Sequence, residues 1–258
     1  LTHYELPKNV SATTDIVKAL ECADGIIFAV PSTHLREIAN QASPYICETT
    51  PILCLTKGIE STTGLLMNEV IGDECGHPER IAALSGPNHA EEVCQGQLSA
   101  AVIAAEDNDV ASFFKGILLA PEFRIYLSGD VIGVEMCGAV KNIIAIVCGI
   151  ASGAGFGDNT LALIMTRGLA EISRLVHARG GEALTCMGHR HIRETVPLAM
   201  LSPKAPAWSS IKTKRIWSSR ALTQQKVQPN SPTPSVSTLR LRLPSMMPFG
   251  MDKACRRS

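Results

Sequence analysis

A lysine in the middle of an apolar run is the most chemically suggestive feature of this sequence. Residues 131–159 read VIGVEMCGAVKNIIAIVCGIASGAGFGDN, with Lys141 between Val140 and Asn142. On a helix, Gly138, Lys141, Asn142, Ala145 and Gly149 fall on one side at spacings of three and four. That side is polar only at Lys141 and Asn142. The opposite side is branched and apolar, so it is expected to be buried. Withdrawing an ammonium from water lowers its pKa, and such a lysine can exchange a proton near neutral pH. Two plainer readings compete. A lysine in an apolar helix can snorkel to the surface or pair with a buried acid. A membrane span needs about 20 apolar residues, but Glu135, Lys141 and the glycines at 133, 138, 149 and 153 interrupt this run. One buried core helix carrying a functional lysine fits better.

Three further positions follow apolar stretches that read as strands: Val30-Pro31-Ser32, Thr56-Lys57-Gly58 and Ser85-Gly86-Pro87-Asn88. The last is the most specific. Gly86 permits close backbone approach, Pro87 stiffens the turn, and Asn88 offers an amide where a helix begins and free N–H groups favour an anion. An ordinary strand-to-helix turn has the same composition, and Lys57 could equally be a solvated charge.

The elements that would position these residues alternate. Val10 to Thr13 suggests a short strand and Asp15 to Cys22 a helix. Ile26 to Val30 is a buried strand, after which Thr33 is placed to cap a helix reaching Ala42. Pro51 to Thr56 is a strand, followed by a helix around Gly64 to Ile71. Ile81 to Ser85 is a third strand, with a helix from near Asn88. Ala100 to Ala105 and Phe123 to Leu127 read as extended, and Asp107 to Leu119 as helical. Beyond Asp130 the pattern is helical only, with a second helix from Asn159 to about Arg179 carrying Leu163, Leu169, Ile172 and Leu175 as its stripe. Alternating strands and helices predict an α/β fold with a parallel, doubly wound sheet, whose ligands lie beyond the carboxyl ends of the strands. The predicted parts are residues 1–129, residues 130–188, which are all-helical, and a remainder from 189 to 258.

Composition narrows the function. Of 258 residues, 45% are hydrophobic, enough for a sizeable core, and 24 basic residues balance 24 acidic ones. That balance gives no reason to expect a nucleic-acid partner. Nine cysteines show no CxxC pairing, and Cys54, Cys137 and Cys148 lie within apolar runs. Reduced, buried thiols in a cytoplasmic protein are therefore expected, not a disulfide framework or a metal site. No signal peptide is read. Residues 189–258 hold most of the prolines, both tryptophans and only two acids, Glu194 and Asp252. They read as a basic, disordered tail.

Four strings together resemble the bacterial-type NAD(P)-dependent glycerol-3-phosphate dehydrogenase family. They are AVPS at 29–32, LTKG at 55–58, LSGPNHAEEV at 84–93, and EMCGAVKNIIAIVCGIASGAGFGDNT followed by TRGLAEISRL. The likeness runs nearly continuously from Tyr4 to Gly188. It implies a Rossmann-like dinucleotide-binding domain, incomplete here, over 1–129, and an incomplete helical substrate domain over 130–188. It implies interconversion of glycerol 3-phosphate and dihydroxyacetone phosphate with NAD or NADP, supplying glycerol 3-phosphate for phospholipid synthesis. By the same resemblance Lys141 is the proton acceptor and contacts substrate, while Lys57 contacts substrate and cofactor. Gly86 and Asn88 belong to the substrate pocket and Ala90 to the cofactor site. A homodimer, a cytoplasmic location and no membrane span are implied as well. Asn142 is placed to hold Lys141 or the substrate oxygen.

Two departures qualify that expectation. The GxGxxG-like loop that cradles the cofactor diphosphate in this family is absent, so the chain is expected to start beyond its true N-terminus. After Met187-Gly188 the family's glycine–aspartate and arginine–asparagine motifs are replaced by His189-Arg190-His191-Ile192-Arg193, with no likeness expected thereafter, as a shifted reading frame would produce. Arg193 is therefore not taken as the phosphate-binding arginine. A chain so altered is expected to bind nucleotide poorly, to turn over little and to aggregate. The competing functions are a related β-hydroxyacid-type dehydrogenase, which would take a carboxylate substrate, and a non-catalytic truncated product.

Overall fold

The computed structural model describes residues 9–187. Five strands, β1 (Ile26–Phe28), β2 (Ile52–Cys54), β3 (Ile81–Ser85), β4 (Ser99–Ala104) and β5 (Phe123–Ser128), form one sheet in sequential order. Between and after them lie α1 (Ile16–Leu20), α2 (Leu35–Ala42), α3 (Met67–Cys75), α4 (Ala90–Cys94), α5 (Asn108–Leu118), α6 (Val131–Gly153) and α7 (Asp158–Ala178). β1, β2 and β3 pair in parallel, in the register Ile26–Ile52–Ile81. β4 and β5 are also parallel to each other.

The period of two along the strands explains the layering. Ile26, Phe28, Ile52 and Cys54 face Leu35, Ile38, Met67, Val70 and Ile71 of α2 and α3. Their alternates Ile27 and Leu53, with Ala82 and Leu84, face Ala111 and Phe114 of α5. Both faces are therefore covered by helices, which is why β1 and β2 are apolar at every position. Removal of this area from water, at about 25 cal/mol per Å², is the main force holding the sheet.

Several expectations change. The sheet is not wholly parallel: β3 and β4 run antiparallel, pairing Ala83 with Ala104 and Ser85 with Val102. The intervening residues 86–98 hold only the five-residue α4, and β4 pairs back along β3 in the opposite direction. Residues 10–13 form no strand, having no neighbouring strand among the described residues. Asp15 instead caps α1, accepting the N–H groups of Val17 and Lys18. Thr33 is not a cap. It lies inside a 3-10 turn, Ser32–His34, and α2 starts after His34 without a side-chain cap.

The helical part is α6, α7 and a 3-10 turn at Ala183–Met187, packed around Leu66, Met136, Cys137, Ile172, Val176 and Cys186. Asp130 ties its ends together. It caps α6 through Gly133 N–H at 2.8 Å, accepts Glu182 N–H at 2.9 Å, and accepts the Thr185 hydroxyl. Cys137 and Cys186 are joined as a disulfide, contrary to the expected reduced thiols. The turn brings residue 186 back across α6, leaving the two Cα atoms 5.6 Å apart, within disulfide range. Among the described residues no His, Cys, Asp and Glu cluster suits a metal ion.

The apolar side of α6 was expected to be buried, and most of what is buried lies in its first half. Val134, Met136 and Cys137 are buried, whereas Ile146 and Ile150 are 63% and 67% exposed, and Leu163 and Leu175 of α7 are exposed too. α6 is long and apolar enough to cross a membrane by length and composition. In the structure its first half is built onto β3 and α3. The expected tail and Arg193 lie outside the described residues.

Candidate active site

Parallel pairing of β1, β2 and β3 brings their carboxyl ends to one edge, and the segments predicted to carry chemistry follow there. Thr56 donates its hydroxyl to Val30 O at 2.7 Å, fixing the end of β2 against that of β1. Lys57 follows. Its Nζ donates to Gly86 O and to Asn88 Oδ1, each at 3.2 Å. Three sequence-predicted residues, Lys57, Gly86 and Asn88, are therefore brought into direct contact across 29 and 31 residues of chain.

Gly86 is required by backbone proximity. A Cβ there would lie 2.6 Å from Ala100 O and 2.8 Å from Ala101 Cα, and both obstacles are main-chain atoms of the antiparallel β4. Gly138 plays the corresponding part on α6. A Cβ at this position would meet Ser85 Oγ at 2.6 Å and approach Lys57 Cγ at 3.9 Å. The small-residue side of α6 thus lets the helix lie against the end of β3, and Lys141 follows Gly138 by one turn.

The electrostatics of the two lysines differ from expectation. Lys141 is exposed, although α7 packs on the same half of α6, with Ile144 lying against Gly168. The lysine held below its ordinary pKa is Lys57. Partial withdrawal of its ammonium among the strand ends is the larger cause, and the positive charge of Lys141 the smaller. Although most of the Lys57 side chain is exposed, its charged end is the part engaged by Gly86 and Asn88. The positive charge of Lys141 thus reaches Lys57, and the two lysines share one electrostatic site.

Asn88 differs from expectation in detail. It turns its carbonyl oxygen to Lys57 instead of presenting a helix start to an anion. α4 has five residues, with Glu91 and Glu92 in its first turn, where carboxylates compete with any anion for the free N–H groups. Ala90, exposed, opens that helix, one residue beyond His89, whose ring pairs with Glu91 at 2.7 Å.

One residue of the site escaped the sequence reading, which met Glu135 only as an interruption of the apolar run. Glu135 is 8% exposed, with Oε1 accepting Asn68 N–H of α3 at 3.0 Å. Its Oε2 has no hydrogen-bond partner among the described residues. Burial pushes its carboxyl up to about 8, opposed by the Asn68 bond and aided by Glu69. It lines a small cavity with Cys54, Thr56, Lys57, Ser85 and Gly138. The available signal was the spacing Glu135, Gly138, Lys141, three residues apart each time on one helical face. Cys54, in the same cavity, is raised chiefly by its own burial and next by the charge of Glu135, which makes it an inert thiol.

A nicotinamide dinucleotide can be tested against these residues. The parallel strand ends, the close-packed Gly86 turn and the exposed Ala90 leave one edge accessible for the reactive end of such a molecule. A GxGxxG string for its diphosphate does not occur in the 258 residues. The fit is to the reactive end alone.

An α/β sheet with Lys57 at its strand ends, followed by a helical part that carries Lys141, defines a class of Rossmann-like α/β protein with a helical second part. Comparison with known proteins narrows it. Residues 1–111 match the family described as NAD-dependent glycerol-3-phosphate dehydrogenase N-terminus, and residues 130–196 match its C-terminus. Together they take in well over half of the chain, which belongs to this family. The second match ends at residue 196, beyond Gly188. The chain is 44% identical over 198 residues to the glycerol-3-phosphate dehydrogenase [NAD(P)+] of Syntrophomonas wolfei, covering 76% of this chain and 58% of that one. It is 46% identical to the Corynebacterium urealyticum protein of the same name, covering 73% and 57%. The solved glycerol-3-phosphate dehydrogenase of Coxiella burnetii superposes with a TM-score of 0.67 at 36% identity, covering 72% of this chain and 57% of that one. The chain therefore spans less than two thirds of the length of these relatives.

Proposed function

We propose that this site interconverts glycerol 3-phosphate and dihydroxyacetone phosphate, with NAD or NADP as the redox partner. The observation that carries the reading is Lys57 Nζ held between Gly86 O and Asn88 Oδ1, with Lys141 near enough to weaken its hold on a proton. When bound, the nicotinamide supplies the acceptor for the hydride that leaves C2. The chain supplies the proton chemistry and the binding. Two neighbouring ammonium groups resist being charged together, so the pair can take the hydroxyl proton while C2 is oxidised. In the reverse direction it returns that proton to the carbonyl oxygen. We take Lys141 as the proton acceptor and Lys57 as the cation orienting the substrate oxygen, with Gly86 and Asn88 fixing Lys57. Ala90 belongs to the cofactor side.

On this reading residues 1–129 are a partial dinucleotide-binding domain and 130–188 a partial substrate domain. The assembled form is a homodimer in the cytoplasm, contributing glycerol 3-phosphate to phospholipid synthesis. The test is oxidation of reduced cofactor by the chain and its Lys141→Met variant, with dihydroxyacetone phosphate and with a β-keto acid panel. Turnover confined to dihydroxyacetone phosphate and lost in Lys141→Met is expected. Preference for a keto acid, or turnover unchanged by Lys141→Met, refutes the reading. A second reading, a non-catalytic product that only associates with other copies, is favoured by the exposed apolar face around Ile146 and Ile150. Self-association without cofactor binding would support it.

A further inference from the structure

We propose that Glu135 is a positioning residue for Lys57: its carboxyl holds, together with Ser85, a single internal water between α6 and the end of β3. The proposal rests on the lysine-pair reading above.

The cavity offers about 10 Å³ to the centre of a water-sized molecule. That is close to the least space one water occupies, and a buried water also needs two or more polar partners. Two are present. Glu135 Oε2 is a buried oxygen without a protein partner, and the Ser85 side chain faces the same space, its Oγ 2.6 Å from where a Cβ of Gly138 would stand. Thr56 and Lys57 complete the polar wall, while Cys54 and Gly138 close the rest. A carboxyl so far from bulk water is held as the acid, which the rise to about 8 supports. An acid can donate through Oε2 while Oε1 accepts from Asn68 N–H. The charged or titratable neighbours are Cys54 on β2, Lys57 beyond it, and Glu69 on α3, itself paired with Arg179 at 2.8 Å.

The consequence reaches Lys57 through the backbone. Ser85 precedes Gly86, whose carbonyl accepts from Lys57 Nζ at 3.2 Å. A water pinned between Glu135 and Ser85 fixes that carbonyl relative to α6, the helix carrying Lys141. The spacing of the two lysines is then set from beneath by Glu135. Removing the acid frees the Ser85–Gly86 turn, and Lys57 is released towards solvent.

The experiment follows the Lys57 titration directly, by nuclear magnetic resonance of the full chain with isotope-labelled, reductively methylated lysines. The Lys57 signal is assigned with Lys57→Arg. Glu135→Gln, Glu135→Leu and Ser85→Ala are compared with the parent chain. Gln keeps a donor and an acceptor without charge, so Lys57 is expected to keep its depressed titration. Leu fills the space without either group, and the Lys57 midpoint is expected to rise towards that of a free lysine. Ser85→Ala leaves the water one partner short and is expected to move it the same way. A Lys57 titration unchanged in both Glu135→Leu and Ser85→Ala, with only thermal stability altered, overturns the proposal. So does Glu135→Gln behaving like Glu135→Leu. If Glu135→Leu does not fold, the Gln and Ser85 variants decide alone. The readout needs no turnover, so a failure of the dehydrogenase reading appears separately, as inactivity with the lysine response intact.

Discussion

Glu135→Gln should change how stability depends on pH. The folded protein holds this carboxyl up to about 8, against an ordinary value of 4.5. Between those two values the unfolded chain has lost a proton that the folded chain keeps, so raising the pH favours unfolding. The contribution is fully present below pH 4.5, declines as pH rises, and is exhausted above about 8. Each pH unit in that window is worth about 1.4 kcal/mol. Between pH 5 and pH 7 the group therefore removes about 3 kcal/mol, a large share of the roughly 5–15 kcal/mol that stabilises an ordinary domain. Glutamine still accepts the Asn68 N–H and does not titrate, so its variant lacks this slope. Urea unfolding of both proteins at pH 5, 6, 7 and 8 measures the difference. The variant is expected to gain on the parent by about 1 kcal/mol or more per pH unit across the window. Parallel curves, or a parent that gains on the variant as pH rises, would show that Glu135 is ionised in the folded protein and refute the reasoning.

Other consequences can be measured separately. Gly86→Ala places a Cβ against the main chain of β4 at 2.6 and 2.8 Å, so it should cost about 1–3 kcal/mol in denaturant unfolding and displace the carbonyl that holds Lys57. Arg36 bonds Glu60, Asp73 and Glu74, and Glu60 is held down at about 2, chiefly by Arg36. That stability is present above pH 4.5 and lost as pH falls towards 2, so Arg36→Ala should move acid unfolding to higher pH, read by circular dichroism. Reducing the Cys137–Cys186 disulfide, which closes a 49-residue separation, should cost up to about 4 kcal/mol on the chain-entropy account; unfolding with and without reductant reports it. Replacing exposed Ile146 and Ile150 with lysine should raise the soluble fraction in sedimentation with little effect on the melting temperature, because neither side chain is in the core.

Local patterns carried most of the framework. Ile81 to Ser85 emerged as β3 with the same bounds, and the long apolar segment beginning at Val131 became α6, because a two-residue or 3.6-residue apolar period is a property of neighbouring residues. Glycines and lysines after strands marked Lys57, Gly86 and Asn88, since the carboxyl ends of parallel strands are where such a fold leaves its chain accessible. The reversal of β4 was not legible. Its residues are as apolar as a parallel strand's, and direction depends on the short α4 connection and the pairing with β3.

The electrostatic pattern also lay beyond sequence. Composition marked Lys141 as the lysine to lose basicity, on the assumption that an apolar helix is covered along its whole length. Burial is a property of what packs against a residue. In the folded chain α7 covers only part of the second half of α6 and leaves Lys141 exposed, whereas the ammonium of Lys57 is partly withdrawn among the strand ends. The disulfide has the same origin, since Cys137 and Cys186 meet only because the turn after α7 doubles back over α6. The family, the order of elements and the residues able to carry chemistry were legible from residue type and local period alone. That Lys57 is withdrawn among the strand ends, and that the acid beneath it is Glu135, follows from packing between distant segments, because desolvation and charge coupling act through space.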